Sequence, residues 1–494
     1  MPLQTVQVAV FILVTSMIAF ITYLKCRRVD GPATHTTQSD NKEVFLAGGG
    51  LTWVFVAGSI TLTNLSTDQL VGMNGNQMAL LAWWEFSAVV GLIILSRVFL
   101  PIYYKYECTT TTELLEKRYN NHHIRAVIGM LFMLGNVLIF MPTVLYTGSL
   151  AMQGMFGLDE SLRTLMIISA AFAVIGAAYA ALGGLRAVAV SDTYSGVLLL
   201  GLGMLVVVLS LKAIDFDFSG IPTERLTLIG GNDSPIPWHT LLTGMIFIQI
   251  YYWSTNQTIT QRAMASPTLA EGQKGVQVAA VIRLLIVPAM IVLPGIVSYK
   301  LYGDIGDSAY GRIVGDVLPL WMSGMFAAAL AAAVLTSFNS IVNSSAALYV
   351  CDFHEKYISS TPNVKRLNAI ATVVFLLIAL ALVPMYAGAD SIINLIQQMY
   401  GLLSMPIVAC FIVGLMFQNV DYRAAIFAVV LGVLLYGYLS FGQQLFGLAK
   451  PPIDLHYIHL MFITLWSCVG GALLFNRLVL GRKATFSWAA SAAA

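Results

Sequence analysis

The sequence predicts an all-α protein that crosses a membrane about thirteen times, and two observations carry this prediction. Of its 494 residues, 58% are hydrophobic and only 10% are charged, far below the roughly 25% charged residues of soluble domains. Apolar runs of about 20 residues, each long enough to cross the hydrocarbon core, recur along the whole chain. These features exclude a string of soluble domains and favour one polytopic membrane domain.

The apolar runs set the order of the predicted helices. They lie near residues 5–24, 51–74, 77–104, 124–155, 163–183, 187–213, 238–257, 275–300, 315–351, 366–387, 391–417, 422–441 and 456–477. The first run has neither a basic segment before it nor a small-residue cleavage site after it, so we interpret it as a retained helix. The last residues, TFSWAASAAA, are interpreted as partly an expression-tag remnant.

Lys and Arg residues predict the orientation of the helices, because they accumulate in the cytoplasmic loops of membrane proteins. Most of the 26 lie in alternate loops, including Lys117, Arg118, Lys356 and Lys365. This distribution predicts an N-terminus outside the cell and a C-terminus in the cytoplasm. The net charge of +2 gives no reason to expect a nucleic-acid partner. Five cysteines without a CxxC pair argue against a disulfide framework or a zinc site.

Two of the predicted spans are polar in their middle. They carry SITLTNLSTDQLVG at residues 59–72 and, five spans later, QIYYWSTNQ at residues 249–257. A helix can lose backbone hydrogen bonds at membrane depth only where the freed groups line a cavity or meet a ligand. Two breaks at corresponding places in two five-span halves indicate a secondary transporter with an inverted repeat. The alternative is a continuous helix whose polar face packs against its neighbours.

Ionisable residues inside spans point to function by default, because they are costly in lipid. Glu85 and Arg283 lie deep in their spans, so each is expected to face a wet cavity or to form a structural ion pair. Asp68 is expected near the outer mouth. Arg97 lies close to a span end, where its side chain can extend to the headgroups.

A third polar cluster, AAAVLTSFNSIVNSS at residues 331–345, interrupts an Ala-rich span. Thr336, Ser337 and Ser340 fall on one face of this helix. Hydroxyl oxygens and free carbonyls suit a hard cation, although such hydroxyls more often bond back to their own helix.

Aromatic, amide and carboxylate side chains form a further group, which suits either a sugar site or an interfacial aromatic belt. Its members are Trp83, Trp84, Tyr251, Tyr252, Trp253, Gln69, Glu85, Gln249 and Gln397.

Several segments together resemble the sodium/solute symporter family, and they are most similar to its bacterial sodium/galactose and sodium/glucose branch. They are LTNLSTDQLVGMNG at 62–75, WWE at 83–85, ALGGLRAVAVSDTYSG at 181–196, YYWSTNQTITQRAMA at 251–265, AALAAAVLTSFNS at 328–340 and LIQQMYGLL at 395–403.

The resemblance implies a leucine-transporter-type fold with two discontinuous helices, an inverted repeat of five plus five helices. The extra first helix and a cytoplasmic loop would occupy residues 1–50, the two repeats 51–213 and 214–417, two additional helices 418–481, and a tail 482–494. A cell inner membrane is the implied location.

The resemblance also implies roles for individual residues. The sodium ion would be held by Leu62, Leu65, Ala333, Thr336 and Ser337, with Asp192 and Ser340 close to it. Substrate would contact Asn64, Gln69, Glu85, Gln249, Arg283 and Gln397, and also Ser87, which is adjacent to Ala88. Met73, Trp84 and Tyr252 would close the site on the outside, and Tyr251 and Trp253 on the inside.

Four positions depart from the family pattern. Gln249 replaces an Asn, Arg283 a Lys, Ala88 a sugar-binding Ser, and Asn339 a hydroxyl of relatives that bind a second sodium ion. Because Arg presents a planar fork rather than a compact ammonium, the pocket is expected to favour a different hexose or a sugar with an acidic group. One sodium ion is the expected stoichiometry.

The combined prediction is a sodium-coupled symporter that imports a small polar solute, a hexose such as galactose or glucose, by alternating access. Its partners would be this solute, Na⁺ and the lipid bilayer, with no cofactor besides the co-transported ion. The alternative substrates are sialic acid and amino acids, and a membrane sensor or a channel remains as another class. An enzyme is not expected, because the sequence offers neither a metal cluster nor a nucleophile paired with a histidine.

Overall fold

A computed structural model describes residues 3–26, 45–389 and 391–487 of the chain, and it is almost entirely helical. The long helices are α1 (Leu3–Cys26), α4 (Ala79–Lys105), α6 (His122–Phe156), α7 (Leu162–Ala213), α11 (Leu269–Tyr302), α13 (Leu320–Tyr357), α14 (Val364–Tyr386), α15 (Ile392–Met416), α16 (Tyr422–Phe446) and α17 (Tyr457–Leu478). The shorter ones are α2 (Trp53–Asn64), α3 (Thr67–Gly75), α5 (Thr111–Tyr119), α8 (Thr223–Leu226), α9 (Gly244–Ile250), α10 (Gln257–Met264) and α12 (Ala309–Val317).

Ten helices among the described residues are long and apolar enough to cross a membrane. Of the remaining predicted spans, two correspond to interrupted helices and one to the shorter apolar stretch Leu162–Gly176. The total of about thirteen therefore stays a prediction. The predicted loop between spans 163–183 and 187–213 falls inside α7, which runs as one helix of 52 residues.

The first interruption separates α2 from α3. Leu65 has a ψ of 72° and Ser66 is extended, with φ −111° and ψ −178°, so the helical hydrogen-bond ladder stops after Asn64. Leu65 N still donates to Thr61 O over 2.9 Å, and Ser66 N turns back to Asn64 O over 2.8 Å. The chain is broken at the place that the polar stretch at 59–72 predicts.

The second interruption separates α9 from α10. A turn of π-helix, Tyr251–Thr255, follows α9, and Asn256 is then extended with φ −68° and ψ 122°. The Asn256 side chain accepts a hydrogen bond from Thr258 N over 2.9 Å and so caps α10, which is a preferred role of Asn before a helix. Both predicted discontinuous helices are present.

Helix α13 lies at the centre of the bundle, since nearly all of its residues from Phe326 to Ala347 are buried. Helices α1 and α7 pack along it. Gln7 of α1 donates to Ser323 Oγ of α13 over 2.9 Å and to Met155 O of α6 over 3.0 Å. The helix with the predicted cation hydroxyls is therefore held from several sides.

The C-terminal tail makes specific contacts over part of its length. Strand β2 (Thr485–Phe486) pairs antiparallel with β1 (Phe417–Gln418), and Ser487 N donates to Met416 O over 2.8 Å. Part of the segment interpreted as a tag remnant thus packs on the body of the protein. The remaining tail, the loop at 27–44 that carries Lys42, and the side chains of 177–188 including Arg186 lie outside the described residues.

Candidate functional site

A cavity lies where the two broken helices meet the bundle, a position at which transporters of the inverted-repeat class bind their substrates. Its walls come from the end of α2, from α3, α4 and α6, from α9 with the π-helical turn after it, and from α15. The lining residues are Asn64, Asp68, Gln69, Met73, Trp84, Glu85, Phe140, Ile248, Gln249, Tyr251, Tyr252, Trp253, Ile393, Ile396, Gln397 and Tyr400.

The structure brings together most of the residues singled out from the sequence. Five of the seven expected substrate residues line the cavity, as do all five expected gating residues. The two exceptions are Ser87 and Arg283, which lie behind the wall and contact lining residues.

Arg283 is fully buried and connects the broken helix to α4. Its Nη2 donates to Glu85 Oε1 over 2.6 Å, to Gln69 Oε1 over 3.1 Å and to Asn64 Oδ1, while Nη1 donates to Thr61 O over 3.2 Å. The guanidinium carbon lies 4.7 Å from the centre of the Trp253 ring, within range of a cation–π interaction. The planar fork of arginine makes this set of contacts possible.

Glu85 has one carboxylate oxygen occupied and one without a partner. Its Oε1 accepts from Arg283 and from Gln69 Nε2, whereas its buried Oε2 has no hydrogen-bond partner among the described residues. Leaving such an oxygen unsatisfied is costly. Because Glu85 lines the cavity, Oε2 is the acceptor best placed for a ligand hydroxyl.

Gln249 orients the aromatic wall. Its Nε2 donates to Ser87 Oγ over 2.7 Å and to Trp84 O over 3.1 Å, and its Oε1 accepts from Trp253 Nε1 over 2.9 Å. Both ends of this amide are thus used to position side chains of α4 and of the π-helical turn.

The broken helix also fixes an aromatic residue. Asn64 Nδ2 donates to Tyr252 Oη over 3.0 Å, while its Oδ1 accepts from Arg283. One residue at the break therefore connects the guanidinium to the opposite broken helix.

Six lining residues were not among the residues assigned to this site from the sequence. They are Asp68, Phe140, Ile248, Ile393, Ile396 and Tyr400. Asp68, expected near the outer mouth, lines the cavity wall. Its place beside Gln69 in the polar stretch was a usable signal. The apolar lining residues gave no such signal, because they lie in spans that are apolar throughout. In the structure, the centres of the Phe140 and Tyr400 rings lie 4.4 Å apart.

The second predicted constellation joins the broken helix to α13. Ser337 Oγ donates to Thr63 O over 3.2 Å, and Ser340 Oγ lies 3.4 Å from Thr63 Oγ1. Thr336 Oγ1 donates to Ala333 O over 3.2 Å. The backbone just before the break and the hydroxyl face of α13 are thus adjacent.

A buried charged pair lies close to this junction. Asp192 Oδ2 accepts from Ser59 Oγ over 2.5 Å, and Ser59 Oγ accepts in turn from Arg262 Nε over 2.9 Å. The Asp192 Oδ1 atom is buried without a hydrogen-bond partner among the described residues. The carboxylate of α7 and the guanidinium of α10 are linked through one hydroxyl of α2.

A polar cavity at the meeting point of two broken helices, inside a bundle of apolar helices, defines a multi-pass membrane transporter of the inverted-repeat class. Residues 44–432 match the model of the sodium:solute symporter family. The chain belongs to this family, and it is accordingly a sodium-coupled symporter rather than an enzyme.

Two curated relatives cover most of the chain. An uncharacterized symporter of Escherichia coli K12, YidK, is 33% identical over 485 residues, which are 94% of this chain and 82% of that protein. The sodium/glucose cotransporter of Vibrio parahaemolyticus is 30% identical over 464 residues, 86% of this chain and 83% of that protein.

Solved structures confirm the predicted leucine-transporter-type fold. A Na⁺-coupled sialic acid symporter in a substrate-bound, outward-open state superposes with a TM-score of 0.80 at 17% identity, covering 96% of this chain and 98% of that chain. MhsT in complex with L-phenylalanine gives a TM-score of 0.52 at 13% identity, covering 85% and 97%. These likenesses concern the fold.

We expect Arg283→Lys to lower the stability of the protein. A lysine ammonium cannot reach Thr61 O and the Glu85 carboxylate together, and each lost hydrogen bond to a charged group is worth about 1.5–3 kcal/mol. The apparent melting temperature of purified protein in detergent should fall by several degrees. Arg163→Lys, at an exposed position, is the matched control and should change it little. Equal melting temperatures for the two variants would contradict this account of Arg283.

Proposed function

We propose that the protein imports a hexose such as galactose or glucose together with Na⁺, by alternating access. The observation that carries this proposal is the cavity wall, where aromatic faces stand next to polar atoms that have no hydrogen-bond partner in the part of the chain that the structure describes. Glu85 Oε2 is one such atom, and the buried Tyr400 Oη is another.

The chemistry of this wall suits a sugar. A pyranose ring has a face of C–H groups that can lie on Trp84 or Tyr252, and its hydroxyls can donate to Glu85 and exchange hydrogen bonds with Gln397. Asn64, Gln69, Gln249, Ser87 and Arg283 would position these groups rather than supply many free contacts, because their own polar atoms are largely occupied. The name of the Vibrio relative, a sodium/glucose cotransporter, agrees with a hexose.

For the ion, we propose a site between the first break and α13. Carbonyl oxygens of Leu62, Leu65 and Ala333 and the hydroxyls of Thr336 and Ser337 would hold Na⁺, since hard cations prefer oxygen ligands. The 3.2 Å bond from Ser337 Oγ to Thr63 O supports this location, because it places the hydroxyl face of α13 against the backbone just before the break. Asp192 and Ser340 would supply negative charge and hydrogen bonds nearby.

The break itself gives the proposed coupling a physical source. Na⁺ bridging α2 to α13 would favour one arrangement of the broken helix, and that helix carries Asn64 and Gln69 to the cavity. An ion that binds one state better shifts the equilibrium by that difference in affinity. Met73, Trp84 and Tyr252 would close the cavity on one side and Tyr251 and Trp253 on the other. We further propose an inner-membrane location, an N-terminus outside and a C-terminus inside.

Purified protein in proteoliposomes should accumulate labelled galactose or glucose when an inward Na⁺ gradient is imposed. Replacing Na⁺ by K⁺, or collapsing the gradient with a sodium ionophore, should abolish the accumulation. Liposomes without protein serve as the blank. Absence of Na⁺-dependent uptake of both sugars, in protein whose tryptophan fluorescence still responds to Na⁺, would refute the hexose assignment and leave the symporter class intact.

Removing hydroxyls from α13 should weaken Na⁺ binding. Thr336→Ala and Ser337→Ala should each raise the Na⁺ concentration for half-maximal uptake about tenfold, because each removes one proposed oxygen ligand. Thr372→Ala is the matched control, since this buried hydroxyl of α14 also bonds to its own helix. An unchanged Na⁺ dependence in both α13 variants would remove them from the site.

A further inference from the structure

Asp68 is the one carboxylate of the cavity wall that has no ion pair among the described residues. Glu85, the other acidic lining residue, is paired with Arg283 at 2.6 Å. Asp68 lies in the first turn of α3, where backbone N–H groups and the helix dipole favour a negative charge. The wall of the cavity therefore carries a carboxyl group that belongs to no ion pair among the described residues.

The cavity offers no cation to a ligand. Among the described residues that line it there is no Lys, Arg or His. The nearest guanidinium, Arg283, is fully buried, and its Nη2 and Nη1 are bound to Glu85, Gln69, Asn64 and Thr61. Its remaining Nε is buried without a partner among the described residues, but Arg283, unlike Glu85, does not line the cavity, and its guanidinium lies against the Trp253 ring.

We infer that Asp68 is a specificity-determining residue, which makes this cavity select neutral polyhydroxylated rings and reject sugars that carry a carboxylate. The inference rests on the proposed sugar transport and names the substrate class of the same site. Hydroxyl groups of a neutral ring donate to Asp68 and to Glu85 Oε2. A ligand carboxylate would meet Asp68 in a cavity whose described lining has no cationic side chain to pair with the ligand, and juxtaposed like charges are strongly unfavourable.

The position of Asp68 explains why its charge reaches the ligand. It borders both the main cavity and a smaller one lined by Thr63, Asn256 and Thr258, at the level of the two helix breaks. Any ligand seated between the broken helices therefore lies beside it. Of the two expectations drawn from Arg283 in the sequence, a different hexose or a sugar with an acidic group, the inference favours the hexose.

The test compares each neutral sugar with its uronate, which has the same ring and one carboxylate. At saturating Na⁺, unlabelled galactose and galacturonate compete with the uptake of labelled galactose. Unlabelled glucose and glucuronate compete with the uptake of labelled glucose. For the wild-type protein we expect each uronate to bind at least about tenfold more weakly than its neutral sugar. Asp68→Asn, which keeps the shape, should reduce this ratio at least about fivefold, whereas Asp68→Glu should preserve it.

Asp233→Asn removes one acidic group from an exposed position and should leave the ratio unchanged. The Na⁺ response of tryptophan fluorescence reports whether each variant is folded, and the wild-type ratio tests the inference without any variant. Equal binding of neutral and acidic sugars by the wild-type protein would overturn the inference while the proposed function stands. An Asp68→Asn ratio equal to that of wild type would overturn the role of Asp68. Failure of every sugar to bind would overturn the proposed function and this inference with it.

Discussion

The break after Asn64 leaves polar backbone inside an apolar bundle, and the buried Arg283 joins this segment to α4. In lipid every backbone N–H and C=O must find a partner within the protein. Arg283 donates to Thr61 O at the end of α2 and to the Asn64 and Gln69 side chains on either side of the break. A buried guanidinium needs a counter-charge, and Glu85 supplies it. The ion pair, the break and the cavity wall are thus one connected structure.

The broken helix α2–α3 contacts both the proposed Na⁺ site and the cavity proposed for substrate. On one side Thr63 accepts from Ser337 of α13, and on the other Gln69 and Glu85 face the cavity. A ligand that fixes the break from one side changes the geometry available to the other. This provides a short physical route for coupling, because the two regions share a few residues of one segment rather than a long chain of contacts.

The sequence predicted the features that depend on composition and local polarity. The long spans, the two interruptions and most of the cavity wall follow from apolar runs, from polar stretches at 59–72 and 249–257, and from aromatic residues near Glu85. It could not predict that Arg283 lies behind Glu85 rather than in the cavity, because the side that a buried charge faces is set by tertiary packing. Apolar lining residues such as Ile393 and Phe140 resemble any other residue of their spans. The loop predicted between spans 163–183 and 187–213 was wrong, because the Gly residues near residue 185 do not end α7.

The central claim is that cation and sugar act on one broken helix, so each must change the affinity for the other by the same factor. The direct measurement is a pair of titrations on purified protein, following the fluorescence of the cavity residues Trp84 and Trp253. Sugar affinity is measured at low and saturating Na⁺, and Na⁺ affinity without and with saturating sugar. The account predicts that both affinities rise by an equal factor. A sugar affinity that is independent of Na⁺ would contradict it.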